Sequence, residues 1–221
     1  MFEGFARSAP AFFHELAVEM NKSWFDANKQ RYQDEWVAPM TALVDEVAAG
    51  LARTFAPAKL ATKVLRIYRD TRFAKDKQPY KTNIAAKIAY RGVSALYLHI
   101  GIDEEYLGAG TYFFDDAQLA KWRKLAAAEK TGKPLMQLVA RTRKAGYRVG
   151  GYDDYKKVPR GFAPDHPRAE LLRMRGLTVG FPSMPKGMLH QAKLAGWLVQ
   201  HAKQSAPIVK WLGEQLPRAG E

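Results

Sequence analysis

The chain has 221 residues, of which 47% are hydrophobic, 12% aromatic and 26% charged; that balance supports a substantial core and excludes a disordered chain. The absence of cysteine excludes a disulfide framework, a zinc–thiolate site, an iron–sulfur cluster and a cysteine nucleophile. The net charge of +13 is concentrated: residues 63–91 hold nine basic against two acidic side chains, and residues 141–175 hold ten against four. If those segments meet, their field attracts phosphate or carboxylate; otherwise they make a basic, well-solvated surface.

Glu3, His14, Glu15 and Glu19 interrupt the N-terminal stretch, so no signal peptide is expected. No run of about 18 apolar residues exists to span a membrane. A cytoplasmic location without a membrane partner is the expectation. Ser8 and Pro10 signal a helix start, after which Phe12, Phe13, Leu16 and Met20 share one face. Ser23 with Asp26 resembles a capping box and opens a second helix carrying Trp24, Asn28, Tyr32, Trp36 and Met40, which Pro39 kinks or splits. Val64, Leu65, Ile67 and Tyr68 read as a strand, residues 70–83 as a loop, and Ile84–Tyr90 as the next strand. In a third strand, Ala95–Ile102, residues Tyr97, His99 and Gly101 occupy one face and Leu96, Leu98, Ile100 and Ile102 the other. A tight turn at Asp103-Glu104 leads to a fourth strand, Tyr106–Phe114, whose Gly108 and Gly110 signal a bulge or a close approach.

Asp115 or Asp116 caps a helix carrying Leu119, Trp122 and Leu125, and another helix follows over Lys133–Lys144. Residues 146–164 read as a loop with at most a short strand, Pro164–Met174 as a short helix starting near Asp165, and Leu177–Phe181 as a strand. Residues 183–216 read as mostly helical, broken by Pro207. With no repeat or linker, these elements predict one α+β domain over residues 1–221: an antiparallel or mixed sheet of about four to five strands, flanked by N- and C-terminal helices.

No Walker loop, G-x-G-x-x-G, H-E-x-x-H or G-x-S-x-G occurs, and the five histidines lack metal-ligand spacing; neither a metal nor a cofactor is expected. The densest polar segment is residues 66–83. Its Arg69, Arg72, Lys77 and Lys81 suit an anion, Tyr80 suits orienting it, and Tyr68 and Phe73 suit stacking. The competing reading is a solvated loop whose Asp and Arg side chains pair with each other. In a second segment, residues 156–170, His166 offers an imidazole, the side chain most often used as acid or base, and Asp70 and His166 are the candidate proton-transfer groups; Asp165 as a cap and His166 as a turn residue is the alternative.

The blocks at 21–32, 66–83, 107–123 and 158–177 together resemble the bacterial and fungal "domain of unknown function 2461" family. Its second block usually runs R-D-x-R-F-x-x-D-K-x-P-Y-K-T, which Arg69, Asp70, Arg72, Phe73, Asp76, Lys77, Pro79, Tyr80, Lys81 and Thr82 match. Its third more often has three glycines before the tyrosine, where this chain has Gly108, Ala109 and Gly110. The resemblance implies that the basic loop and the Asp-His-Pro turn share a site; it implies no known reaction, cofactor or substrate. Three functions follow as expectations. The first is a pocket protein acting on a phosphorylated or carboxylated small molecule. The second is a nucleic-acid binding module using a basic stripe with Tyr68, Phe73 or Tyr152. The third is a component of a protein assembly.

Overall fold

The period-two alternation of residues 84–111 becomes the centre of a six-stranded antiparallel sheet in the computed structural model, which describes residues 1–72, 75–102, 104–218 and 220. The strands are β1 (Leu60–Val64), β2 (Asn83–Tyr90), β3 (Ser94–Gly101), β4 (Glu105–Thr111), β5 (Arg148–Gly150) and β6 (Leu177–Gly180), in the spatial order β1-β2-β3-β4-β6-β5. The fold is α+β, with one strand more than the upper sequence expectation. Ile84, Ala86 and Ile88 of β2 and Leu96, Leu98 and Ile100 of β3 all enter the larger core cluster, because alternate side chains of a strand share a face.

Helices cover that face. α1 (Ala9–Glu19), α2 (Lys22–Tyr32) and α3 (Ala38–Phe55) pack with the C-terminal α7 (Leu194–Gln215) over β1–β4; α4 (Asp116–Ala127), α5 (Glu129–Lys144) and α6 (Ala169–Arg173) form a second cluster beside β5 and β6. Trp36 and Trp122 anchor the two clusters, and both are buried. Each indole N–H donates to a backbone carbonyl, Ala9 at 2.9 Å and Leu171 at 2.8 Å, as a buried indole requires. Among the described residues no helix is long and apolar enough to cross a membrane.

Several local expectations are corrected. Asn21, not Ser23, caps α2, accepting from Trp24 N–H at 2.9 Å. Ser8 precedes α1 without capping it, because its hydroxyl donates to Glu35 instead. A π-helical turn, Gln33–Val37, joins α2 to α3, whose first turn accommodates Pro39. The first strand lies earlier than its apolar signal: β1 is an edge strand with exposed central residues, whereas Ile67 is buried in the loop beyond it. β4 ends at Thr111. Gly108 and Gly110 do mark a close approach, that of β6. A Cβ at 108 would lie 2.7 Å from the Val179 carbonyl oxygen and one at 110 only 2.1 Å from that of Leu177, with φ +138° at Gly110. The Ala109 side chain points the other way, into the core.

The Asp115 cap is a full capping box with Gln118. α6 is only five residues long and begins after Arg168, not at Asp165. Residues 183–193 hold a single 3-10 turn, Met188–His190, whereas α7 runs unbroken through Pro207; burial of Ala206, Ile208 and Val209 on either side outweighs the missing N–H. The turn expected at Asp103-Glu104 falls partly outside the described residues.

His201, on α7, sits against Trp197 at a centroid distance of 4.3 Å, and its Nδ1 is 2.7 Å from the Tyr147 hydroxyl. Burial pushes its pKa down from the ordinary value. His99, on β3, is pushed down by burial too, against an opposing pull from Glu104. A depressed folded-state value means that the unfolded chain takes up these protons first, so stability is full above the unfolded pKa of about 6.5 and falls as pH drops through that value. Tm is expected to be lower at acidic than at neutral pH, and His201→Phe to flatten that slope. An equal slope in wild type and variant, measured by differential scanning calorimetry, would contradict this.

Candidate functional site

The segment that joins β1 to β2 is a twisted extension of that hairpin. Tyr68 and Tyr80 form a bridge, flanked by Arg69 N–H to Pro79 O and Lys81 N–H to Ile67 O, both 2.9 Å. At its base Tyr80 is buried and stacks on Phe25 of α2 with centroids 4.4 Å apart; burial raises its pKa. The extension is thereby pinned to the N-terminal helices, and its polar residues divide into two groups.

The tip satisfies itself. Arg72 grips Asp70 at two points, 3.0 and 2.7 Å. Arg69 reaches Asp76 at 2.6 Å, and the Lys77 ammonium donates to the Thr71 carbonyl at 2.8 Å. Arg72 beside Asp70 holds its carboxyl below the ordinary value, so at this position it is a weak proton acceptor. Phe73, expected to stack, lies outside the described residues.

The base is different. Lys81 turns away from the tip, its ammonium donating to the Arg66 carbonyl at 3.1 Å, and faces a cleft of about 600 Å³ between α2, the π turn and the β1 edge. Lys29, Lys63, Arg66 and Lys81 line this cleft, Phe25, Tyr32 and Tyr68 give it aromatic walls, and no carboxylate contributes. The π turn supplies Gln33 and Val37; such turns recur at functional sites because the extra residue displaces side chains from the helical register. Among the described residues none of the four cations is in an ion pair. Burial pushes the Lys81 pKa down, and the neighbouring Arg66 charge pushes the same way. Lys29 and Lys63 escaped the sequence reading, since nothing in their spacing links a helix residue to a strand residue 34 positions on.

His166 lies at the other edge of the sheet, in the connection from β5 to β6, with β3 and β4 intervening between β2 and β6. It is not brought to Asp70. Its Nδ1 accepts the Arg168 backbone N–H at 3.0 Å, and Arg168 is itself buried, with its guanidinium on Ala126 O, Ala127 O and Glu129. The two basic segments thus occupy opposite ends of the strand order.

Fold and site define a helix-backed antiparallel α+β protein with an uncompensated basic cleft at one sheet edge. A family model described as "Conserved hypothetical protein (DUF2461)" matches residues 8–211, and the chain belongs to that family. No curated protein matches it.

Proposed function

We propose that this is a cytoplasmic protein that binds a small molecule bearing a phosphate or carboxylate in the cleft beside β1. Lys29, Lys63, Arg66 and Lys81 hold the anion, and Phe25, Tyr32 and Tyr68 take its apolar or aromatic part. The observation that carries the reading is the set of four cations around an aromatic-walled cleft, none of them in an ion pair among the described residues. Cations gathered without counter-charge repel one another, and an anion relieves that repulsion. The tip residues Arg69, Arg72 and Lys77 act here by holding the extension in shape, with Tyr80 as its anchor.

The test is a thermal-shift screen of nucleotides, sugar phosphates and dicarboxylates against wild type and a Lys29→Ala/Arg66→Ala variant. A ligand at one hundred times its Kd stabilises by about 2.7 kcal/mol, which for a chain of this size raises Tm by roughly 5–11 °C. The variant is expected to keep its own Tm and lose the shift. If no compound of the three classes moves the wild-type Tm, or if the variant responds as the wild type does, the reading fails.

A further inference from the structure

Among the described residues the helices that pack on the sheet do so on one face, and its second face carries none of them. α3, α5 and α7 all meet the face that carries Thr62, Ile88, Leu96 and Val149; an antiparallel sheet can leave its other side to solvent. One registered row crosses all six strands on that open side: Lys63, Lys87, Tyr97, Gly108, Gly180 and Arg148. Five interstrand spacings make it roughly 24 Å long. Exposed cations stand at both ends; between them Gly108 and Gly180 are buried, with the Tyr106 ring and the Arg148 side chain close over them.

Rings stand on this face. His99 and Tyr97 lie 6.5 Å apart by centroid and Tyr97 and Tyr106 6.2 Å apart. Past the end of β4 a second group of rings follows, Tyr112 packed against Tyr152 and Phe113. Tyr112 and Tyr152 are 4.8 Å apart, with Phe113 against Tyr112 at 4.7 Å. These last three are 47%, 72% and 45% exposed, an apolar cost that a monomer ordinarily avoids. Glu104, 3.2 Å from His99, marks the end of the face unfavourable to an anion; Asp153 is neutralised by Arg175 at 2.6 Å.

Aromatic rings and cations together on a sheet face without helices match the chemistry of unpaired bases on a phosphate backbone. A duplex turns its base faces inward and cannot use the rings; an acidic peptide can use the cations but has no π-faces to stack. We propose that the helix-free face of the sheet binds single-stranded nucleic acid, with bases stacked on Tyr97, Tyr106, Tyr112 and Tyr152 and phosphates neutralised by Lys63, Lys87 and Arg148. Lys63 stands at the rim that this face shares with the cleft; the proposal uses no other cleft residue.

The experiment is fluorescence anisotropy of labelled single-stranded oligonucleotides of about 15 nucleotides, with a duplex of equal length and an oligoglutamate as competitors. Three neutralised phosphates predict an affinity loss of roughly 20-fold between ~50 and ~200 mM salt. Tyr106→Ala and Tyr112→Ala are each expected to weaken binding by roughly 5- to 150-fold. The Phe variants at both positions are expected to bind like wild type, because stacking uses the ring and not the hydroxyl. Lys87→Ala is expected to lower the salt slope, and Lys29→Ala/Arg66→Ala, in the cleft, to leave binding within a few-fold of wild type. No binding at low salt overturns the proposal. So does binding that survives loss of the rings, or equal competition by duplex or oligoglutamate, the marks of a generic polycation.

Discussion

Arg168→Met is expected to destabilise the protein by about 3 kcal/mol and to lower Tm by roughly 6–12 °C. The guanidinium is buried and closes the junction of three helices. Its Nε donates to Ala126 O at 2.8 Å, an Nη to Ala127 O, and the other Nη reaches Glu129 at 2.8 Å. Ala126 and Ala127 end α4, where the last carbonyls have no intrahelical donor; Glu129 opens α5. Gly132 makes room for this arrangement, since a Cβ there would lie 2.8 Å from the Arg168 Nε. Methionine fills part of the volume but leaves two carbonyls in a dry junction without donors, each at a cost of about 1–3 kcal/mol. The exposed Arg160 carries the same charge in the same connection, and Arg160→Met is expected to be neutral. Urea denaturation of the two variants separates a buried staple from mere loss of positive charge. Equal midpoints would show that Arg168 has no such role.

The same residue illustrates how far sequence reasoning reaches. The Asp-His-Pro-Arg turn drew attention for its histidine, yet its most connected side chain is the arginine beside it. Nothing local distinguishes Arg168 from the nine other basic residues of 141–175; its burial is decided by helix ends about forty positions upstream. Elements with their own periodicity were legible: β2 and β3 follow their alternation, including the side on which Tyr97 and His99 fall. A cap at Asp115 or Asp116 was legible, and Gln118, three residues after Asp115, decides for the first. β1 was misplaced because an exposed edge strand has little apolar signal, and Pro207 misled because packing holds α7 together across it.

The cation-rich loop was visible as composition, but its division was not. Asp70 and Asp76 were both in view as possible partners, and they satisfy Arg72 and Arg69. Lys81 escapes that pairing because Tyr80 is held inward by Phe25, which turns the next side chain to the opposite side. The cleft walls come from α2, the π turn and β1, and no single-sequence pattern joins those three. Likewise the strand alternation separates two faces of the sheet, but only the placement of α3, α5 and α7 decides which of them stays open.

Lys81→Met separates stability from binding. In the free protein the Lys81 ammonium is partly desolvated and faces the like charge of Arg66, and both effects depress its pKa. A lysine with a depressed folded-state pKa is a liability at every pH below that value, relieved only as pH rises toward the unfolded value of about 10.4. Methionine keeps most of the stem and removes the charge, so the free variant is expected to have a higher Tm than wild type at neutral pH, despite the hydrogen bond lost to Arg66 O. Binding moves the other way. A charge-assisted hydrogen bond to an anion contributes about 1.5–3 kcal/mol, so an anionic ligand of the cleft is expected to bind roughly 10- to 150-fold more weakly to the variant. Thermal unfolding with and without ligand reads both quantities in one titration. A lower Tm in the free variant would show that Lys81 supports the fold; an unchanged ligand shift would show that the anion is held elsewhere. Opposite signs from one substitution are what an uncompensated cation predicts, because the repulsion that costs stability in the free protein is the same field that attracts the ligand.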